Sequence, residues 1–267
     1  MELYINKFNL KYTLESGQFF RYAQKGEWYY CHERDKTFKI KQKENTLEFY
    51  GTTREHITKL FGLYSEYEKI TKTLSKDPIL KKAIRQFNGL RVMQRDPWET
   101  TINFQCSTAS NIKKIQLNMN KLAEHFGKDA RFENETAHLF PEPGQINNLE
   151  KIKKCSTGFR AKYIHAVNKL VDDNFFEQLK RKNYIEAKQE LVKLPGIGSK
   201  VADCICLFSL GKTEAFPVDI WIERIMQQNY FDNKKVSHKE IIEFANTKWG
   251  KNAGYAQQFL YHWGRNR

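Results

Sequence analysis

The sequence predicts an α+β fold, with an N-terminal antiparallel β-sheet domain over residues 1–85 and a larger α-helical domain over residues 86–267. Three observations predict it. Apolar and polar residues alternate up to about residue 50, as in half-buried strands. From about residue 53 the apolar spacing becomes helical. A glycine-rich hairpin within residues 184–210 joins two segments that each carry an apolar stripe. A chain of 267 residues, 40% hydrophobic and 14% aromatic, can bury a substantial core and is neither disordered nor collagen-like.

Each element has its own signal. Trp28-Tyr29-Tyr30 follows a Lys25-Gly26 turn and suits a strand. Phe38 and Ile40 alternate with polar residues, Lys43-Glu44-Asn45 can turn, and Leu47 and Phe49 resume the alternation. Asp77-Pro78 starts a helix, because a capping aspartate is followed by a proline whose missing N–H costs nothing there. Gly89 is its expected stop. Asp96-Pro97-Trp98-Glu99 repeats the start and adds an acid three residues after the cap, as in a capping box. Ile112, Ile115, Met119, Leu122 and Phe126 form one stripe closed by Gly127, and Phe140-Pro141-Glu142-Pro143-Gly144 is a loop. Further helices are predicted around 148–155, 160–171, 184–193, 200–210 and 220–228, with one more near the C-terminus.

The chain has 45 Lys+Arg against 31 Asp+Glu, a formal charge of +14. Such a surplus favours a polyanionic partner, since neutralised phosphates release counterions. Its five cysteines, Cys31, Cys106, Cys155, Cys204 and Cys206, show no spacing for zinc, an iron–sulfur cluster or a disulfide framework. Reduced thiols are expected. Met1 to Tyr12 lack a basic region followed by an apolar stretch, and no segment approaches the length of a membrane span. The expectation is an intracellular monomer without membrane contact, in the cytoplasm or nucleoid, or in the nucleus of a eukaryote.

The informative stretch is Leu194-Pro195-Gly196-Ile197-Gly198-Ser199-Lys200-Val201-Ala202. Before it, Tyr184, Ala187 and Leu191 share a helix face; after it, Val201, Cys204, Ile205 and Phe208 share another. Gly196 and Gly198 permit a tight turn and close approach to another surface. The N–H groups at the next helix start, near Ser199, point outward where a phosphate can accept them. This pattern is a helix–hairpin–helix, a clamp for the DNA backbone. It is not a phosphate-binding loop of the Walker type, which needs an earlier glycine, nor a dinucleotide fingerprint, which follows a strand. Downstream, Phe216-Pro217-Val218-Asp219 ends on an aspartate suited to cap the following helix. A lysine opening one helix and an aspartate opening the next lift the reading above a binding module.

These residues resemble the helix–hairpin–helix, Gly/Pro-Asp signature of the base-excision DNA glycosylases, and within them the 8-oxoguanine DNA glycosylase branch. Ser16-Gly17-Gln18-Phe19-Phe20-Arg21, Arg95-Asp96-Pro97, Cys106-Ser107, Gly158-Phe159-Arg160-Ala161-Lys162-Tyr163 and Ala253-Gly254-Tyr255-Ala256-Gln257 match in the same order. The resemblance implies a DNA glycosylase with AP lyase activity acting on double-stranded DNA containing 8-oxoguanine. Lys200 would attack C1′ as the base departs, and Asp219 would stabilise the charge developing on the sugar. The base, flipped into a pocket, would meet the Gly17 carbonyl, the Cys204 face, the Gln257 amide and the Tyr261 ring. Phe159 would wedge into the vacated stack, Arg160 would read the orphaned base, and Gly196, Gly198 and Ser199 would meet the backbone. No redox or metal cofactor is implied. The carbonyls of Val192, Leu194 and Ile197 are the candidates for a cation bridging to phosphate.

Three departures stand out. Ala109 and Lys114 occupy positions where this branch has an asparagine and an arginine that read the orphan cytosine, and Trp221 stands where a histidine is expected. Gln105 and Ser110 are the other side chains in reach of that base by sequence position. The rival enzymatic reading is an alkylated-purine glycosylase, which lacks a lysine at position 200. A non-enzymatic DNA-binding module would need the hairpin but neither Lys200 nor Asp219.

Overall fold

The computed structural model of the protein describes residues 1–133 and 135–266. Strands β1 (Glu2–Tyr4), β2 (Tyr22–Lys25), β3 (Trp28–Glu33), β4 (Lys36–Lys43) and β5 (Thr46–Tyr50) form one antiparallel sheet in the order β1-β5-β4-β3-β2. The expected turns close its hairpins: Gly26 between β2 and β3, and Glu44 between β4 and β5, both with positive φ. Tyr29 pairs with Ile40 and Ile40 with Phe49, so one row of large side chains crosses three strands. That row packs with Leu10, Leu14, Ile57 and Phe61 into a first apolar cluster. Leu10 and Leu14 belong to a helix, α1 (Leu10–Glu15), inside the stretch expected to be all β. Asn9 caps it by accepting from the Tyr12 N–H at 2.8 Å.

The helical part begins with α2 (Arg54–Leu60), α3 (Tyr67–Leu74) and α4 (Pro78–Gln86), then α5 (Pro97–Ser107) and α6 (Ile112–Phe126). Asp77 and Asp96 cap α4 and α5 with proline in the first turn, as expected. α3 and α4 bury Tyr67, Leu74, Leu80, Ala83 and Ile84 in the second, larger apolar cluster, which runs on to Trp263. A short hairpin, β6 (Asp129–Phe132) and β7 (Glu135–His138), follows α6 and was not expected. Next come α7 (Leu149–Lys154), α8 (Ala161–Asn168), α9 (Asp173–Arg181), α10 (Tyr184–Val192), α11 (Ser199–Ser209), α12 (Ile220–Tyr230), α13 (His238–Trp249) and α14 (Ala253–Arg265). α9 and α13 are additions to the predicted set. The helix expected at 160–171 opens as a 3-10 turn at Gly158–Arg160 and ends at Asn168.

Glu99 differs from its expected role. Asp96 does accept from the Glu99 N–H at 2.8 Å, but the return half of the capping box is missing. Glu33 of β3 takes the Asp96 N–H instead, at 3.0 Å. The Glu99 carboxylate lies fully buried between Arg21 and Arg95, at 3.7 and 3.4 Å, and accepts from the Arg34 N–H at 2.6 Å. Burial drives its pKa up and the two guanidiniums oppose that shift. A buried ion cluster of this kind costs desolvation energy that only close, multiple partners offset. Its effect here is to lock sheet and helices in one arrangement.

Candidate active site

α11 packs between α5 and α10, and it is the helix that presents Lys200. Asp203, one turn on and fully buried, fixes the angle between α10 and α11. It accepts from the Tyr184 hydroxyl at 2.6 Å and from Lys188 Nζ at 2.9 Å. The hairpin between these helices is held from two other elements. Gln105 Nε2 of α5 donates to the Pro195 carbonyl at 2.9 Å, and the Tyr163 ring of α8 lies against Gly196. Gly196 has φ +73°, and a Cβ there would come within 2.6 Å of the Tyr163 ring. Gly198 has an ordinary φ and open space where a Cβ would stand, so folding alone does not demand its glycine. Gly198 is the N-cap of α11 without a side-chain cap bond, which leaves first-turn N–H groups facing outward.

Lys200 is half-buried and lines a cavity of about 820 Å³ with Asp219, Gly17, Cys204, Gln257 and Tyr261. All six expected catalytic and base-contacting residues thus meet at one place, from the loop after α1, from α11, from the start of α12 and from α14. Lys200 Nζ donates to Ser107 Oγ at 3.1 Å and lies 5.2 Å from the centre of the Phe104 ring. Asp219 caps α12 through one oxygen only: Oδ1 accepts from the Trp221 and Ile222 N–H groups at 3.0 and 2.9 Å. Oδ2 lies outside the cap. Burial pushes the Cys204 thiol up to about 12, against the opposing pull of Lys200, so it is a neutral, soft wall.

The remaining polar groups of the cavity are set by their own hydrogen bonds. Gln257 is 5% exposed; its Nε2 donates to the Pro217 carbonyl at 3.2 Å, and its Oε1 is buried without a partner. Because a carbonyl can only accept, the amide orientation is settled, and the free end is an acceptor. Gly17 has φ +77° and packs on Tyr261. The carbonyls on either side of it are occupied: Ser16 O by Gln258 Nε2 at 2.9 Å and Gln18 O by Arg95 Nη1 at 3.2 Å. The Gly17 carbonyl between them has no partner among the described residues. The Tyr261 hydroxyl accepts from Arg265 at 3.4 Å.

A second, smaller cleft of about 410 Å³ adjoins the first and is lined by Phe159, Arg160, Val192, Leu194, Ile197 and neighbours. Phe159 is 56% exposed at its rim, as a wedge requires. Arg160 is 7% exposed and four of its five N–H donors are held by the protein. It donates to the carbonyls of Thr108, Ala109 and Thr157, pinning the turn between α5 and α6. Ala109 in that turn has φ +48°, a conformation that asparagine tolerates better than alanine. Lys114 lies on α6, outside the lining of both clefts. Trp221 and Ile220 stand exposed at the mouth of the larger cavity. Among the described residues no group of three His, Cys, Asp or Glu side chains could hold a metal ion, and no helix is long and apolar enough to cross a membrane.

Comparison with known proteins agrees with this fold. Residues 1–101 match the family described as 8-oxoguanine DNA glycosylase, N-terminal domain. MBOgg1, solved in complex with a low-affinity DNA ligand, is 33% identical, with a TM-score of 0.94 over 99% of this chain and 95% of that one. The chain belongs to the 8-oxoguanine DNA glycosylase family. The Clostridium acetobutylicum 8-oxoguanine glycosylase/lyase, solved with double-stranded DNA containing cytosine opposite 8-oxoG, has a TM-score of 0.93 at 30% identity over 100% and 98% of the two chains. A probable N-glycosylase/DNA lyase of Methanothermobacter thermautotrophicus is 29% identical over 80% of this chain and 75% of its own length.

In this family member several residues at the site escaped the sequence reading. Phe104 and Gln258 act through a ring and an amide that leave no local pattern, whereas Ser107 and Pro217 lie in recognised blocks whose local pattern does not reveal the roles of their hydroxyl and carbonyl. Asp203 directly follows Ala202, the end of the hairpin stretch, and carries no signal of its own there. The two hairpin glycines yield a test that separates folding from binding. Gly196→Ala, strained in φ and blocked by Tyr163, is expected to cost more than about 1 kcal/mol of stability in urea unfolding. Gly198→Ala, at an N-cap with room for a Cβ, is expected to cost less, about 0.5–1 kcal/mol, while weakening duplex binding. Equal stability loss in both variants would contradict this assignment.

Proposed function

We propose that this chain is a bifunctional DNA glycosylase that excises 8-oxoguanine from duplex DNA through Lys200 and then cleaves the strand at the abasic site. The observation that carries the reading is a single cavity holding an amine, a carboxylate oxygen free of its cap, and an unpartnered amide acceptor. Base and sugar of an extruded nucleotide need these three groups together. Gln257 Oε1 accepts from the N–H donors on the Watson–Crick edge of a guanine-type base. The Gly17 carbonyl accepts from N7–H, which 8-oxoguanine has and guanine lacks.

In the chemical step the Lys200 nitrogen bonds to C1′ as the C1′–N9 bond breaks, and the base leaves with the electron pair and takes up a proton. The amine sheds a proton, O4′ leaves C1′ with a proton, and an iminium remains. Loss of a C2′ proton then expels the 3′ oxygen with its phosphate. Asp219 Oδ2 stabilises the cationic sugar in the first step. The α11 N-terminus and the hairpin meet the phosphates, and the carbonyls of Val192, Leu194 and Ile197 would hold a bridging cation there. Phe159 fills the gap left in the stack. An alkylated-purine glycosylase has no use for the amine of Lys200.

Two outcomes check this reading. Lys200→Gln is expected to abolish base release, with duplex affinity nearly kept because binding rests on many phosphate contacts. Asp219→Asn keeps the capping oxygen, so stability is expected to fall by less than about 1 kcal/mol while turnover falls by about a hundredfold or more. Normal turnover in Asp219→Asn would leave the residue a cap only.

Opposite-base preference follows from the second cleft. Ala109 offers no polar side chain, Lys114 stands away, and all but one of the Arg160 donors are committed to backbone carbonyls. Each good base contact is worth about 1–3 kcal/mol of discrimination, so excision opposite A, G or T is expected at rates not far below that opposite C. Ala109→Asn is expected to restore part of the preference. Single-turnover rates against the four bases decide it; a preference for cytosine beyond about a hundredfold would contradict the account.

A further inference from the structure

We propose that Ser107 positions the Lys200 amine for attack, an inference that rests on Lys200 being the nucleophile. Ser107 is the last residue of α5, and its Oγ donates to the Phe104 carbonyl at 2.7 Å. With its only proton committed there, Oγ turns a lone pair toward Lys200 Nζ, 3.1 Å away. A lysine side chain has four rotatable bonds and, left free, sweeps a large volume. One N–H held on Ser107 fixes where the nitrogen sits and leaves its lone pair to point elsewhere once the amine is neutral.

The support is continuous with the core. The Phe104 ring lies beneath Nζ at 5.2 Å and stacks on Phe208 of α11 at 5.5 Å with a 17° interplanar angle. The two helices that carry Ser107 and Lys200 are thus locked face to face under the amine. Ser107 lines the same cavity as Asp219 and Gln257, so the nitrogen is held where the sugar arrives. Ser107 does not bond to the substrate in this scheme. It is a positioning residue, and its effect belongs to the rate of the covalent step and not to affinity.

The test uses Ser107→Ala and Ser107→Thr in the full chain, with an 8-oxoguanine duplex under single-turnover conditions. Base release at saturating enzyme and borohydride trapping are followed, and duplex Kd and thermal unfolding are measured in parallel. Ser107→Ala is expected to slow both base release and trapping by about ten- to a hundredfold, the range for a misplaced reacting group. Its Kd and melting temperature are expected to match the wild type, and Ser107→Thr, which keeps the hydroxyl, is expected to recover most of the rate. The inference is overturned if Ser107→Ala reacts at the wild-type rate, if its loss appears only in Kd, or if threonine fails to rescue it. A wild-type protein that forms no borohydride adduct would instead remove the nucleophile reading on which the inference rests.

Discussion

The arrangement of the cavity depends on one buried residue, Arg95, through its backbone and its guanidinium. Its backbone N–H donates to Phe208 O on α11 at 2.7 Å, and its Nη1 donates to Gln18 O beside Gly17 at 3.2 Å. Glu99 of α5 and Glu33 of β3 lie at ion-pair distance, and the group stacks over the Phe19 ring at 4.7 Å. One residue therefore fixes the helix that carries the lysine, the loop that carries the Gly17 carbonyl, the helix that carries Ser107, and the sheet behind them. Around it, Gln18 is fully buried, donating to Arg91 O and accepting from the Met93 N–H. A loop pinned this thoroughly can leave a single carbonyl free for recognition without rearranging when a base arrives. Preorganisation of this kind is what makes a polar contact effective in a desolvated site.

The hairpin obeys the same logic at the DNA face. Asp203 sets the angle of α10 and α11 from below, and Gln105 and Tyr163 hold the turn from the sides. At the tip Gly196, Gly198 and Ser199 are left exposed. The lysine that opens α11 is half-buried and lines the cavity, next to the exposed tip of the hairpin. Arg160 illustrates the cost of such rigidity. Four of its five N–H donors hold the Thr108–Ala109 turn and Thr157.

Much of this was legible in the sequence because it is written locally. Asp77-Pro78 and Asp96-Pro97 cap their helices, the strand alternation set the register of β3 to β5, and the motif residues converge on one cavity. The features that were not read fall into two kinds. α1 is six residues long with only Leu10, Thr13 and Leu14 buried, too short for a helical period to stand out between strands. α13 did carry a signal, the Ser237 to Glu240 capping box, which the structure forms in full. The second kind is tertiary. Glu99 had the spacing of a capping box, yet two arginines distant in the chain, Arg21 and Arg34, claim its carboxylate together with Arg95. Ser107, Pro217 and Gln258 likewise gain their roles from partners on other segments, and local spacing does not reveal those roles.

The central claim is that the amine at the start of α11 forms the covalent bond to the sugar. Reducing the wild-type protein with borohydride on an 8-oxoguanine duplex, digesting the adduct and locating the modified peptide by mass spectrometry tests it most directly. The account predicts the deoxyribose remnant on Lys200 within the peptide that follows the Leu194-Pro195-Gly196-Ile197-Gly198 hairpin. A remnant on any other lysine, or on the N-terminal amine, would contradict it.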